Sequence, residues 1–180
     1  MAAWTKNEGL LFVVVILLAR AAAWGRRAFS ANFIKQLAWL ATGLAAVLVV
    51  VVCFKVIVAP ANDLLAGQSL PVAFARLTTF ARWTTVGTAF GREYFSVGKI
   101  LAWVLPLYLV LVGLRPGAFR ERGTRTIWLT LGGMLLGYWM AYVLTPHPLD
   151  WHLNSSAGRL LIQLWPALVA GTFLSTPSQS

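Results

Sequence analysis

The longest apolar run of the chain, "LAWLATGLAAVLVVVVCF" at positions 37–54, contains no charged residue. About 20 residues of this kind are enough for a helix to cross the hydrocarbon core of a bilayer. Because hydrocarbon offers no water to the backbone, each peptide group has to be satisfied within its own segment, which a helix achieves. Charged residues make up only 11% of the chain, against about 25% in soluble domains. The sequence therefore predicts an all-α, multi-pass helical membrane protein.

The apolar runs predict five membrane spans within a single transmembrane domain that covers residues 1–180. The predicted spans are Leu10–Trp24, Leu37–Val58, Ile100–Leu114, Thr126–Leu144 and Leu160–Leu174. Two of the segments between them are rich in cations, namely 20–36 with Arg20, Arg26, Arg27 and Lys35, and 115–125 with Arg115, Arg120, Arg122 and Arg125. Loops of this kind lie in the cytoplasm by the positive-inside rule. This places the N-terminus outside and the C-terminus inside, and it explains the net charge of +10 without a nucleic-acid partner.

The predicted outer segment 59–99 contains an amphipathic stretch, "SLPVAFARLTTFARWTT" at 69–85. Ser69 can cap a helix, and Pro71 suits its first turn. At helical spacing one face carries Leu70, Ala73, Phe74, Leu77, Phe80 and Ala81, and the other carries Arg76, Thr79 and Arg82. This arrangement is typical of a helix that lies in the membrane interface. Its arginines either reach to the headgroups as anchors or bind an anion.

The most polar part of the chain is "LTPHPLDWHLNSSAGRLLIQLWP" at 144–166. We expect it to cross the outer surface between the fourth and fifth spans, with Asn154 or Ser155 capping the last helix. We expect His152 to lie at the headgroup level, where amphipathic rings are favoured. Arg159 directly precedes an apolar run, where an unpaired charge is costly. It is predicted either to pair with an acid such as Asp150 or to bind a lipid phosphate.

Other chemistry is sparse in this sequence. His147, Asp150 and His152 form too weak a pattern to predict a metal site, and no cofactor is expected. The single cysteine, Cys53, is predicted to be a small core residue. There is no Gly-rich phosphate loop, no Cys-x-x-Cys pair and no Ser-His-Asp motif, so the residues by themselves indicate no catalytic group.

Two segments resemble bacterial multi-pass glycosyltransferases of the GT-C type, which use polyprenyl-phosphate-linked sugars. They are "TKNEGLLF" at 5–12 and "YVLTPHPLDWHLNSSAGRLLIQLWP" at 142–166, which match at Leu144, Thr145, Pro146, Trp151, His152, Arg159 and Pro166. The resemblance implies sugar transfer from such a donor on the outer face of a bacterial inner membrane. It also implies that Lys6, Arg159 and His152 hold the donor phosphate, and Arg76 and Arg82 are added as phosphate- or lipid-binding candidates.

The sequence departs from that family in one respect, because no acidic catalytic loop precedes its first span. We therefore expect the chain to be the C-terminal portion of a larger architecture and to be inactive alone. An upstream catalytic portion or a partner subunit would then supply the general base. The alternative is a small non-enzymatic membrane protein: an assembly partner, a lipid-binding protein or a transporter subunit. Gly132, Gly133 and Gly137 in the fourth span favour close helix contact over an ion path.

Overall fold

A computed structural model describes residues 2–25, 30–57 and 69–177 of the chain. These residues form seven α-helices and one 3-10 turn at Ala118–Arg120, with no strand among them. The helices are α1 (Ala2–Trp24), α2 (Ala31–Ile57), α3 (Leu70–Thr78), α4 (Phe80–Gly98), α5 (Ile100–Val112), α6 (Arg122–Leu144) and α7 (Leu149–Ser175). The predicted all-α class is therefore confirmed for the described part of the chain.

The number of membrane-spanning helices is lower than predicted. Among the described residues, α6 and the Leu149–Leu174 part of α7 are long and apolar enough to cross a membrane, and α4 with α5 adds a third if the two form one broken span. That pair is bent by 94° at Lys99, whose φ is 45°. The predicted third span corresponds to α5, which has only 13 residues because the backbone leaves the helical conformation at Lys99, with a φ of 45°, and at Gly113, with a φ of 77°. Within the described ranges two or three helices therefore meet this criterion, fewer than the five predicted, and this number agrees with a membrane protein.

The first two predicted spans fall within α1 and α2, which have 23 and 27 residues, and their crossing of the membrane stays a prediction. Arg26, Arg27 and Val58 lie outside the described residues. Cys53 is exposed on α2, so its assignment to a core is wrong. Val50 and Val52 are exposed beside it, which shows that this side of α2 does not face the bundle.

Helix α6 is the central helix, and α1 packs closely against its glycines. A Cβ atom added to Gly133 would lie 2.6 Å from Cγ1 of Val15, and one added to Gly137 would lie 2.7 Å from Cδ2 of Leu11. Glycines four residues apart let two helix backbones approach within a membrane. Nothing lies within 4 Å of a Cβ added to Gly132. The predicted close contact is confirmed for Gly133 and Gly137 and is wrong for Gly132.

The other side of α6 packs against α7 and α4 around buried aromatic residues. Phe90 of α4 meets Tyr142 edge-on at 5.6 Å between ring centroids, and it lies 5.6 Å from Trp139. Gly98 ends α4 against the ring of Trp165 in α7, where a Cβ would clash. Residues 80–98 therefore form a packed helix rather than part of an outer loop, because apolar residues recur along one side of α4.

The predicted interfacial helix is split into two. The break lies at Thr79, between α3 and α4, where the indole nitrogen of Trp83 donates to the carbonyl of Leu77 at 2.8 Å. Pro71 lies in the first turn as predicted, and Ser69 is the residue at the cap but makes no side-chain bond there. On the apolar face of α3, Leu70 is 87% and Phe74 is 67% exposed, whereas Leu77 packs against the core of the bundle. This exposure agrees with a helix that rests against lipid.

The contact between α1 and α6 allows a direct test with two neighbouring glycines. Gly133→Leu should lower the free energy of unfolding by about 1–3 kcal/mol, because the new side chain has to displace the stiff Val15. The measurement is unfolding by SDS in mixed micelles. Gly132→Leu is the matched control, and an equal loss in that variant would contradict the close approach of α1 to Gly133.

Candidate functional site

The C-terminal end of α6 is bound by two arginines from neighbouring helices. The last four carbonyl groups of a helix have no partner within it. Arg82 donates from Nε to the Val143 carbonyl at 2.9 Å and from Nη2 to the Thr145 carbonyl at 3.1 Å. Arg76 donates from Nη1 to the Leu144 carbonyl at 3.1 Å. Cations are favoured at this end of a helix dipole, so both arginines stabilise the turn that leads from α6 to α7.

Helix α7 begins earlier than predicted. It starts at Leu149 with Pro148 at the cap, and residues 154–159 lie inside the helix. The hydroxyl groups of Ser155 and Ser156 both donate to the carbonyl of His152, at 3.0 and 2.8 Å. The prediction that Asn154 or Ser155 caps the helix is therefore wrong. The same residue types are compatible with a helix interior when their hydroxyls bond back to the preceding turn.

His152 is buried between helices, with 5% of its surface exposed, and its position at the headgroup level stays a prediction. Its Nδ1 lies 2.9 Å from Oγ1 of Thr145. Its ring also meets Tyr142 edge-on at 4.9 Å between centroids. These contacts place His152 beside the turn that Arg76 and Arg82 bind. His152 thus joins the end of α6 to the first turn of α7.

Polar side chains continue from this point along the contact between the two helices. We call this row the α6–α7 seam; it consists of Tyr138, Tyr142 and Thr145 on α6 and His152, Ser156, Arg159 and Gln163 on α7. The α7 members are spaced by four, three and four residues, which places them on one face of a helix. The Tyr142 and Ser156 hydroxyls are 2.7 Å apart, and the Tyr138 hydroxyl donates to Oε1 of Gln163 at 3.3 Å.

A carboxylate from α1 completes the seam. Oε1 of Glu8 lies 3.3 Å from Nη2 of Arg159, and its Oε2 accepts a hydrogen bond of 3.0 Å from Nε2 of Gln163. The Glu8 side chain is 9% exposed and that of Arg159 is 43% exposed. The predicted pairing of Arg159 with an acid is therefore confirmed, but the acid is Glu8 and not Asp150, which lies nine positions earlier along α7, or about 13.5 Å at the helical rise.

A cavity of about 360 Å³ opens beside Glu8, between α1, α6 and α7. Its polar lining residues include Glu8, Tyr138 and Gln163, while its other walls are largely apolar. Thr130 also lines it, and the buried hydroxyl of Thr130 has no hydrogen-bond partner among the described residues. The site thus combines a half-exposed guanidinium, a buried carboxylate and adjacent free space. Chemically, such a site can bind an anion at Arg159 while Glu8 fixes the direction of the guanidinium.

The structure brings together only some of the site residues predicted from sequence. Arg76, Arg82 and His152 meet around the end of α6. Arg159 lies seven residues beyond His152 on α7, or about 10 Å along the helix. Lys6 belongs to α1, and its side chain lies outside the described part of the structure. The phosphate-binding roles of these five residues stay predictions.

The sequence offers Glu8 only as one of four outer-face acids suited to general-base work, with Asp63, Glu93 and Asp150, and does not predict its contact with Arg159. The sequence signal that could have identified it is an acid directly before an apolar run, since such a charge needs a partner in a membrane. The partner is 151 residues away along the chain, so its identity is not visible in any local pattern.

Compared with protein-family models, with curated proteins and with solved structures, the chain matches none of them. The resemblance to GT-C glycosyltransferases therefore rests on segments 5–12 and 142–166. Within these segments Thr145 and His152 contact each other at the end of α6, and Glu8 contacts Arg159.

The arginine contacts at the end of α6 can be tested by removing one charge. Arg82→Gln should lower the free energy of unfolding by about 2 kcal/mol, because carbonyl groups lose a charged donor. The measurement is again SDS unfolding in mixed micelles. Arg92→Gln is the control, since the Arg92 side chain is 65% exposed and such contacts contribute little. Equal losses in both variants would show that Arg82 does not stabilise the turn.

Proposed function

We propose that this chain is the membrane part of a glycosyltransferase that takes its sugar from a polyprenyl-phosphate donor. The donor phosphate binds at Arg159. The observation that carries the proposal is the environment of Arg159, whose guanidinium contacts Glu8 while its side chain is still 43% exposed. The segments that resemble GT-C enzymes contribute both members of the pair.

The geometry of Arg159 suits a phosphate ligand. A guanidinium has five N–H donors in a planar fork, and Glu8 engages only Nη2. Gln163 holds the other carboxylate oxygen, so the pair is supported from a second side. A side chain that is already oriented loses less conformational freedom when a ligand binds. The remaining donors can therefore form charge-assisted bonds to phosphate oxygens.

The same cation can act in the chemical step. When the sugar leaves its carrier, negative charge collects on the lipid phosphate, and a cation that is oriented beforehand stabilises that charge. The proposal assigns no general base to this chain. An upstream catalytic portion or a partner subunit supplies that group.

Arg76, Arg82 and His152 take a different role in this proposal from the one predicted by sequence. Their bonds to the end of α6 and to Thr145 make them positioning residues for the turn before α7. They set where α7 begins and therefore where its Arg159 lies.

The hydrogen bonds of Arg76 and Arg82 to carbonyl groups of the protein itself favour a second function. If the cations of the outer face serve only to hold helices together, the chain is a non-enzymatic membrane protein, such as an assembly partner. The two functions differ in whether Arg159 binds a lipid phosphate.

Binding of a polyprenyl monophosphate to the full chain in nanodiscs separates these possibilities. Arg159→Gln should weaken binding about tenfold or more, because hydrogen bonds to a charged group are lost. Arg159→Lys should weaken it less, since it keeps the charge but not the fork. Glu8→Gln should weaken binding, but less than Arg159→Gln does, because it removes the carboxylate that orients the guanidinium and leaves the donors of Arg159 in place.

Arg92→Gln is the control for a general loss of charge and should bind like the unaltered chain. If Arg159→Gln binds the lipid phosphate as tightly as Arg92→Gln does, the proposed donor site is wrong. The helical content of each variant, followed by circular dichroism, separates loss of binding from loss of fold.

A further inference from the structure

A second cavity, of about 490 Å³, lies at the opposite end of α6 from the arginine-bound turn. Three helix ends form it: the last residue of α1, the beginning of α2 and the first residue of α6. The residues that line it include Trp24, Ser30, Lys35, Gln36, Trp39 and Arg122. We call this cavity the Trp24–Trp39 pocket. Within the described part of the chain, no acidic residue lines it.

Positive charge collects at this pocket without a lining carboxylate to balance it. Lys35 and Arg122 line it, and Arg20 reaches it by donating from Nη2 to Oε1 of Gln36 at 3.1 Å. Among the described residues, none of these three cations forms an ion pair. The nearby Glu121 is bonded to Arg115 at 2.7 Å. The buried Nε of Arg20 also has no hydrogen-bond partner in the described ranges.

Two helix N-termini add to this positive potential. Both α2 and α6 begin at the pocket, and neither has an acidic residue in its first turn; the N-cap of α6 is Glu121, whose carboxylate makes no cap bond and pairs with Arg115. Free N–H groups and the helix dipole make such ends attractive to anions. The hydroxyl of Ser30 occupies one of these groups by accepting from the Phe33 amide at 3.3 Å. The cations and the helix ends together favour a phosphate-sized anion.

The walls of the pocket point to a lipid as the source of that anion. The Arg122 guanidinium lies 4.4 Å from the ring centroid of Trp24, and Trp39 is 70% exposed. Tryptophan rings of this kind are favoured at the headgroup level of a membrane. Farther along α2, Val49, Val50 and Val52 are exposed and offer an apolar surface to acyl chains.

We propose that the Trp24–Trp39 pocket binds the phosphate headgroup of an anionic phospholipid, with Lys35 and Arg122 as its ligands. This site is independent of the donor site proposed at Arg159. Tyr138 bonds Gln163 beside the Glu8–Arg159 pair, and the 16 positions from Arg122 to Tyr138 along α6 correspond to about 24 Å. A soluble phosphate ester shares the headgroup chemistry, and the experiment distinguishes it from a lipid.

The test uses the full chain in nanodiscs made of phosphatidylglycerol and phosphatidylcholine in equal amounts. Native mass spectrometry measures how strongly each lipid is retained. Each cation near a membrane surface contributes roughly a fivefold increase in affinity for anionic lipid. Lys35→Gln with Arg122→Gln should therefore lower retention of phosphatidylglycerol by about 25-fold and leave that of phosphatidylcholine unchanged.

Two matched double variants serve as controls. Lys35→Arg with Arg122→Lys keeps both charges and should keep phosphatidylglycerol bound. Arg92→Gln with Lys99→Gln removes two exposed charges that do not line the pocket and should retain the lipid as the unaltered chain does. If that second control loses the lipid as strongly as the pocket variant, the effect is one of net charge and the site is wrong.

Three further results bear on whether the Trp24–Trp39 pocket binds an anionic phospholipid. Retention that is unchanged in Lys35→Gln with Arg122→Gln would overturn it. Displacement of phosphatidylglycerol by equimolar soluble glycerol phosphate would overturn the assignment to a lipid. If the double variant loses helical content by circular dichroism, the single variant Lys35→Gln is used in its place, because Lys35 is exposed. If Lys35→Gln then retains phosphatidylglycerol as strongly as the unaltered chain does, that result counts against the site.

Discussion

The arrangement of the site depends on how the buried carboxylate of Glu8 is satisfied. A charge in an apolar bundle is tolerated when it is paired, and removing one member of a buried pair costs about 3–5 kcal/mol. Arg159 and Gln163 of α7 meet both oxygens of Glu8, and they link the first described helix to the last. This contact fixes α1 against α7 and aims the Arg159 guanidinium. The cavity beside Glu8 lies next to the same contact.

Helix α6 has a different chemistry on each of its contacting surfaces. Gly133 and Gly137 allow α1 to approach closely, while Tyr138 and Tyr142 donate or share hydrogen bonds with α7. Its C-terminal carbonyls are bound by arginines, and its N-terminus lies at a cationic pocket. Polar groups in a bundle without water must find partners inside the protein, so these contacts set which helices are neighbours. The proposed lipid site lies at the N-terminal end of α6. The proposed donor site lies beside α6, at the pair of Arg159 and Glu8.

Sequence patterns predicted local features well where the physics is local. The apolar runs predicted helices, and the position of Pro71 at the start of α3 was correct. Prediction failed where the same residues are compatible with two different local structures. The residues Asn154–Ser156 suit either a cap or a helix interior, and Pro148 starts the helix before them. Likewise, apolar length predicted five spans, but the bend between α4 and α5 and the break at Thr79 depend on packing that length does not encode.

By itself the sequence determined that this chain is helical and suited to a membrane, because backbone hydrogen bonding in hydrocarbon has to be completed within each segment. It also determined that Arg159, next to an apolar run, requires a polar partner. Only the tertiary structure decided that the partner is Glu8, 151 residues away, and that Arg76 and Arg82 bind the end of α6. Such choices depend on which helices become neighbours, and that is settled by packing over long separations in sequence.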